Sequence, residues 1–101
     1  MRRVRLSDKD MNIIIEQVKN VFKNDVKAYI FGSRVRLDKK GGDIDILIES
    51  KRVISLDEKL SFLAKLELNG IQRRVNLLVI DPTTKLKQIH KDALKEGVRI
   101  V

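Results

Sequence analysis

The sequence predicts a small α/β (α+β) domain in which one mixed sheet is flanked by three helices. Three stretches repeat apolar residues at helical spacing, and four short stretches are rich in β-branched residues. The two kinds of stretch alternate irregularly along the chain, as they do in folds with a mixed sheet. Because 101 residues is an ordinary length for one domain, we expect residues 1–101 to form a single core.

The first half of the chain predicts one helix and two strands. Ser7 followed by Asp10 resembles a helix start, and a helix over residues 7–24 is predicted from apolar residues at helical spacing: Met11, Ile14, Ile15, Val18, Val21 and Phe22. Residues 26–31 predict a buried strand that runs directly into Gly32-Ser33. After a polar turn at residues 39–42, residues 43–49 predict a second strand, with three isoleucines on one face: Ile44, Ile46 and Ile48.

The second half predicts two further helices and two strands. Ser55 and Glu58 form a capping box for a helix that ends near Asn69-Gly70, with an apolar stripe of leucines and one phenylalanine: Leu56, Leu60, Phe62, Leu63 and Leu66. Residues 73–80 predict the third strand. Thr84 is expected to cap the last helix, whose apolar side comprises Leu86, Ile89, Ala93 and Leu94. Gly97 ends that helix, and residues 98–101 predict a short closing strand.

The composition excludes several classes of protein. No cysteine occurs, which excludes disulfides, thiolate nucleophiles and cysteine-type zinc sites. No apolar run approaches the ~18 residues of a membrane span, and no signal peptide is recognisable, so a soluble cytoplasmic protein is expected. The chain carries 22 Lys and Arg against 14 Asp and Glu, a net charge of +8. This surplus favours phosphate-bearing or acidic partners, without distinguishing ATP, RNA and an acidic protein.

The candidate functional residues lie in a glycine turn and an acidic pair. Gly32-Ser33 follows a strand, where backbone N–H groups can face an anion and glycine allows a phosphate to approach closely. Asp43 and Asp45 point to the same side of the next strand, so both can reach a magnesium ion. Two adjacent carboxylates repel each other unless a cation lies between them, and a nucleoside triphosphate brings such a cation as its Mg²⁺ complex.

Arg34 and Arg36 complete this pattern. Both follow the glycine turn closely, and guanidinium groups form forked hydrogen bonds with phosphate oxygens. They are therefore candidates to bind the triphosphate or the leaving pyrophosphate. A Gly-Ser turn or an Asp-x-Asp pair is a weak signal alone, whereas their combination in this order and spacing is much more specific.

The combination resembles the minimal nucleotidyltransferases of the DNA polymerase β superfamily, and the resemblance covers nearly the whole chain. It rests on Gly32, Ser33, the basic segment with Arg34 and Arg36, and the acids Asp43 and Asp45: six matching positions in all. The resemblance implies a polymerase β-like fold, a two-metal Mg²⁺ site, and transfer of a nucleoside monophosphate from ATP or another nucleoside triphosphate to a hydroxyl. Many small members act as MNT-type antitoxins, so it also implies a helical HEPN-type toxin as partner, with a tyrosine of that toxin as acceptor.

The resemblance also implies a third acid on a later strand, and Asn76 stands at that position. A carboxamide oxygen can bind a hard cation, but the group carries no charge and cannot act as a general base. Asp81 is no substitute, because an offset of five residues turns it to the opposite face of the strand. Two hypotheses stay open: a nucleotidyltransferase that turns over, and a catalytically impaired antitoxin or scaffold that works by contact alone.

The remaining candidates carry less chemistry. His90 is the only histidine, so a surface or partly packed role is expected, and Tyr29 is expected in the core. Only four aromatic residues occur and no nucleic-acid motif is present, which ranks an RNA- or DNA-binding surface last. Homodimerisation stays open.

Overall fold

Three helices and a four-stranded mixed sheet form the protein. The computed structural model describes residues 4–35 and 42–101, and of residues 33 and 35 it describes the backbone alone. The helices are α1 (Asp8–Phe22), α2 (Leu56–Leu68) and α3 (Gln88–Glu96); the strands are β1 (Val26–Phe31), β2 (Ile44–Ser50), β3 (Val75–Ile80) and β4 (Val98–Arg99); a 3₁₀ turn spans Gly32–Val35. The predicted fold class and element order are therefore confirmed. In the part of the chain that is described, no helix has the length and apolarity needed to cross a bilayer.

The sheet has the strand order β3-β2-β1-β4. β1 and β2 are antiparallel, with Val26 opposite Ser50 and Phe31 opposite Asp45. β3 lies parallel to β2, and α2 provides the crossover between them, as a parallel pair requires. The end of β1, the start of β2 and the start of β3 consequently meet at one end of the sheet.

The core lies between one face of the sheet and helices α1 and α2. Ile44, Ile46 and Ile48 are fully buried on that face, as the alternation in β2 predicted. The rings of Phe22 and Phe62 pack at a centroid distance of 5.1 Å and join the two helices. Both helix starts agree with the sequence: the hydroxyl of Ser7 accepts from the amide of Asp10, and the Ser55–Glu58 capping box is formed.

The predicted apolar stripe of α2 is partly wrong. Phe62 and Leu66 are buried, but Leu56 and Leu60 have 66% and 55% of their surface exposed. The leucines are spread over a wide arc of the helix, and α2 buries only the part of that arc that meets α1 and the sheet. Periodicity located the helix without deciding which of its leucines would enter the core.

The predicted start of the last helix is also wrong. Thr84 does not cap α3, which begins at Gln88; its hydroxyl instead accepts from the amide of Asp81 at 2.9 Å. The amide of Lys87 donates to Nδ1 of His90 at 2.9 Å, and His90 is buried, where a surface or partly packed role was expected. Two residues assigned to the apolar side of this helix, Leu86 and Ile89, are more than half exposed. The helix begins later than predicted because the side chain of Asp81 holds the residues before the helix in a separate turn.

The strand boundaries at this end of the chain are shorter than predicted. β3 begins at Val75 rather than at residue 73, although the carbonyl of Arg74 still accepts from the amide of Ile44 at 2.9 Å. β4 comprises only Val98 and Arg99. Ile100 and Val101 leave the regular ladder but still donate to the carbonyl of Ala28, which keeps the end of the chain against β1.

Candidate functional site

Three polar side chains meet where β2 and β3 begin. Asp45 lies directly opposite Asn76 in the parallel register of the two strands. The Asn76 amide nitrogen donates to Asp43 Oδ2 at 3.2 Å and to Asp45 Oδ1 at 2.9 Å. The two acids share a face because they are two residues apart on an extended chain. The structure therefore brings together the two acids of the sequence motif and the residue at the third position.

The glycine turn lies directly against Asp45. Gly32 has a φ of +71°, a left-handed conformation that residues with a side chain rarely adopt. A Cβ atom built on Gly32 would overlap Oδ2 of Asp45, so only glycine lets the turn approach the carboxylate this closely. For Ser33 the backbone in the 3₁₀ turn is described and the side chain is not.

Arg34 connects the segments around the site. Only 7% of the residue's surface is exposed, and its guanidinium donates to the carbonyls of Arg5 at 2.8 Å and Gly42 at 2.9 Å. Nε of Arg34 has no partner among the residues described. Burial lowers the pKa of Arg34, and the charges of Arg5 and Arg73 lower it further. Arg34 thus holds Gly42, the residue before Asp43, in place.

Arg36 lies outside the described residues, as do Lys39 and Lys40 of the predicted turn. Its predicted contact with phosphate stays a prediction. Arg34, by contrast, donates to two backbone carbonyls. We therefore infer that it affects a bound phosphate indirectly, through the position of the turn and through its charge.

The donor set fits a hard cation but lacks one negative charge. Carboxylate and carboxamide oxygens are the ligands that Mg²⁺ prefers. Asp43 Oδ1 and Asp45 Oδ2 make no hydrogen bond with any described residue, so one oxygen of each acid is available to a metal ion. Within residues 4–35 and 42–101, no three side chains among the acids and histidine are grouped to hold a metal. The residues therefore fit one Mg²⁺ shared with a polyphosphate better than a closed metal site of the protein's own.

Asp81 has a structural role away from the site, in line with its predicted orientation. Its carboxylate accepts from the amide of Ile54 at 2.9 Å and from the amide of Thr83 at 2.8 Å. The hydroxyl and amide of Thr83 and the amide of Ile54 lower the pKa of Asp81 to about 2. The group is a fixed hydrogen-bond acceptor and is not available to the acids of β2.

One charged residue next to the acids, Arg74, was not among the predicted site residues. The bond from the Ile44 amide to the Arg74 carbonyl extends the β2–β3 ladder by one residue and places Arg74 beside Asp43. Arg74 precedes Asn76 by two positions and therefore shares its strand face. That spacing was the signal in the sequence that could have identified it.

The chain matches a known family over most of its length. The family model described as Polymerase beta, Nucleotidyltransferase matches residues 16–101, which include the glycine turn, both acids and Asn76. No curated protein matches the chain.

Several solved structures share the fold. A toxin–antitoxin complex with AMP-PNP is 18% identical, with a TM-score of 0.71, covering 90% of this chain and 72% of that one. The complex of tri-AMPylated Shewanella oneidensis HEPN toxin with MNT antitoxin gives 18% identity and a TM-score of 0.68, covering 91% and 69%. A candidate nucleotidyltransferase from Sulfolobus solfataricus is 26% identical, with a TM-score of 0.51, covering 91% and 82%. The family model agrees with the sheet and with the position of the glycine turn against the acidic pair. The chain therefore belongs to the polymerase β nucleotidyltransferase family.

Proposed function

We propose that this chain binds Mg-ATP, or another nucleoside triphosphate, and transfers a nucleoside monophosphate to a hydroxyl, with pyrophosphate leaving. The observation that supports this most directly is the close approach of the Gly32 turn to Asp45. A phosphate-sized anion on the turn and a cation on the acids would be neighbours, which is the arrangement that a metal-bound triphosphate needs.

Each residue has a separate role in this proposal. The backbone of Gly32 and Ser33 binds the triphosphate, and Asp43 and Asp45 hold Mg²⁺, which when bound neutralises charge on the phosphates. Arg34 fixes the turn, and its positive charge favours the polyphosphate. Asn76 holds both carboxylates on one side, which leaves their other oxygens directed at the ligand.

We further propose that the acceptor is a tyrosine of a HEPN-type toxin and that the chain acts in the cytoplasm as its antitoxin. Support comes from the solved neighbours: one is a complex of an MNT antitoxin with a tri-AMPylated HEPN toxin, and another is a toxin–antitoxin with AMP-PNP. Two experiments test nucleotide binding and transfer to this partner.

Asn76 favours a second candidate function, inhibition of the partner by contact alone. The third position is an amide that donates to both acids, so it neither adds charge to a metal site nor removes a proton from an attacking hydroxyl. In this case the chain retains nucleotide binding and the fold, and its effect on the partner needs no turnover.

Calorimetric titration with Mg-ATP tests the binding step. The wild-type chain is expected to bind, and the double variant Asp43→Ala/Asp45→Ala is expected to lose binding. Asp25→Ala is the matched control, because Asp25 is exposed and precedes β1 at the end opposite to Gly32. Equal binding by the wild type and the double variant, or no binding by the wild type, would refute the proposed site.

Mass spectrometry separates the two candidate functions. A HEPN-type toxin from the same organism would be incubated with the chain and Mg-ATP, and its intact mass measured. Added nucleoside monophosphate that requires Asp43 and Asp45 supports transfer. Inhibition of the partner without any mass increase, unchanged in the Asp43→Ala/Asp45→Ala variant, supports contact alone.

A further inference from the structure

β3 forms a free edge of the sheet. In the part of the chain that the structure describes, β3 pairs only with β2. Its residues, Val75–Ile80, include no charged residue and no proline, which are two means by which proteins protect such an edge from other strands. All of them except Asn76 are apolar, and none is fully buried. This edge is therefore open to pairing with another strand.

The pairing with β2 shows which backbone groups face the free edge. The carbonyl of Arg74 accepts from the amide of Ile44 at 2.9 Å, so Arg74 and every second residue after it direct their backbone groups toward β2. The residues between them direct their amides and carbonyls outward: Val75, Leu77 and Val79. Among the described contacts of these outward groups there is one hydrogen bond, from the hydroxyl of Thr84 to the carbonyl of Val79 at 3.3 Å. The edge thus offers donors and acceptors along its length.

Exposed leucines of α2 border the same edge. Three leucines lie on one side of the helix, because they are spaced by four and three residues: Leu56, Leu60 and Leu63. Leu63 lines a groove together with Val75 at the start of β3, and the amide of Ile54, shortly before α2, donates to Asp81, directly after β3. α2 therefore runs along β3 with its leucine side toward the free edge. The first two leucines are more than half exposed, so apolar surface extends from the edge strand onto the helix.

The edge is complementary to itself in an antiparallel arrangement. If two copies of β3 pair about a twofold axis at Leu77, the outward groups meet as hydrogen-bonded pairs, with Leu77 opposite Leu77 and Val75 opposite Val79. Corresponding faces of the two sheets then stay on the same side, which brings the leucine sides of the two α2 helices together. Arg73 before one strand lies opposite Asp81 after the other, so the ends of the pair carry opposite charges.

We propose that this edge binds a second copy of the chain: β3 pairs antiparallel with β3 of the second copy, centred on Leu77, and the leucine sides of the two α2 helices pack together. A second copy fits better than an unrelated strand, because the symmetric order of outward residues and the opposite charges at the two ends are present in one sequence. In this register Asn76 lies opposite Leu78 of the second copy, at a Cα distance of about 4.5 Å, so each copy borders the acidic site of the other. The inference does not depend on nucleotide transfer.

Sedimentation velocity over a range of protein concentrations tests the association. The wild-type chain is expected to form a dimer, and Leu60→Glu is expected to weaken it at least ~10-fold, because a carboxylate would be placed on the apolar contact. Leu60 is 55% exposed, so the variant is expected to keep its fold, which circular dichroism checks. Ile89→Glu is the matched control: Ile89 is also 55% exposed, the charge change is the same, and α3 packs on β1 and the Gly32 turn, away from β3.

Amide hydrogen exchange measured by NMR locates the contact. The amides of Leu77 and Val79 are expected to exchange more slowly as the protein concentration rises, and Leu60→Glu is expected to remove this protection. The amide of Leu78 faces β2 and provides the internal reference. Each copy carries a net charge of +8, so the dimer is also expected to strengthen as added salt screens the repulsion between the copies.

Several results would overturn the inference. They are a chain that stays monomeric, a dimer that Leu60→Glu and Ile89→Glu affect equally, and a Leu77 amide that exchanges at the same rate in monomer and dimer. A dimer that weakens as salt is added would indicate a contact driven by charge and would overturn it as well. Protection of the Leu77 amide that appears only when a HEPN-type toxin is added would assign the edge to that protein instead.

Discussion

The substitution Asn76→Asp converts the amide that joins Asp43 and Asp45 into a third carboxylate. Asn76 donates to both acids, at 3.2 Å and 2.9 Å, and an aspartate at the same position would have no hydrogen to donate at neutral pH. Without a metal ion, the variant would place three carboxylates at the start of two adjacent strands. With a metal ion, it would supply the charge that the site lacks.

The structure sets the size of the effect. A hydrogen bond to a charged group contributes about 1.5 kcal/mol or more, although Asn76 is exposed and solvent replaces part of that contribution. Each new pair of like charges near 4 Å costs about 1 kcal/mol when water screens it well. We expect the metal-free variant to lose about 2 to 3 kcal/mol of stability, which for a domain of this size lowers Tm by roughly 10 to 20 °C.

Differential scanning calorimetry in EDTA and in Mg²⁺ measures both parts of the prediction. The Asn76→Asp variant is expected to melt below the wild type in EDTA and to recover most of the difference in Mg²⁺, while the wild type responds much less. Asn20→Asp is the matched control, because Asn20 is exposed on α1 and makes no side-chain hydrogen bond among the residues described. If the chain is a nucleotidyltransferase limited by its third ligand, nucleotide transfer to the partner should also rise strongly in Asn76→Asp.

Two results would refute this reasoning. An unchanged Tm in EDTA would show that the amide contacts do not stabilise the acidic pair. A Mg²⁺-dependent rise in Tm no larger than that of the wild type would show that the position does not face a metal ion.

Three further substitutions test the frame of the site and the turn after β3. Gly32→Ala should lower stability by more than about 2 kcal/mol, because it combines a strained φ with overlap at Asp45. Gly70→Ala has a positive φ too, but its Cβ would only contact Ile13 Cδ1 at 4.0 Å, so it should lower stability by about 1 kcal/mol. Equal urea midpoints for the two variants would contradict the overlap. Arg34→Lys should lower stability by about 1 to 3 kcal/mol, because the single ammonium group of lysine cannot replace the two-pronged guanidinium that donates to two carbonyls. An unchanged urea midpoint would argue against the connecting role of Arg34. The pKa of Asp81 is lowered from 3.8 to about 2 in the folded state, so its contribution to stability is complete above about pH 4 and is lost as the pH falls toward 2. Asp81→Asn should therefore be less stable at pH 7 and lose less stability between pH 4 and pH 2, and an acid-denaturation curve parallel to that of the wild type would contradict this.

Local patterns predicted the elements and the acidic motif well. The capping interactions of Ser7 and Ser55 depend on residues three positions apart, so the sequence contains everything that forms them. Asp43 and Asp45 share a face because extended chains alternate their side chains, whatever the rest of the fold does. The assignment of Asn76 to the third position came instead from the family resemblance.

Patterns that depend on a distant partner were predicted less well. Leu56 and Leu60 resemble core residues by spacing, but α1 and the sheet contact another part of α2. The start of α3 depends on Asp81, whose carboxylate bonds Thr83 and also the amide of Ile54, 27 residues away in sequence. The position of Arg34 after the turn predicts a phosphate ligand, which stays a prediction, and only the fold shows that its guanidinium donates to two backbone carbonyls.

The sequence by itself determined the chemistry available to this protein: two carboxylates on one strand face, a glycine turn before them, and an uncharged amide where a third acid is expected. Those properties follow from residue type and from alternation over a few positions. The tertiary structure alone decided that Asn76 donates to both acids and that the Gly32 turn lies against Asp45. The reason is that strand register and helix packing join segments that lie far apart in the chain, and no local pattern specifies which of their side chains meet.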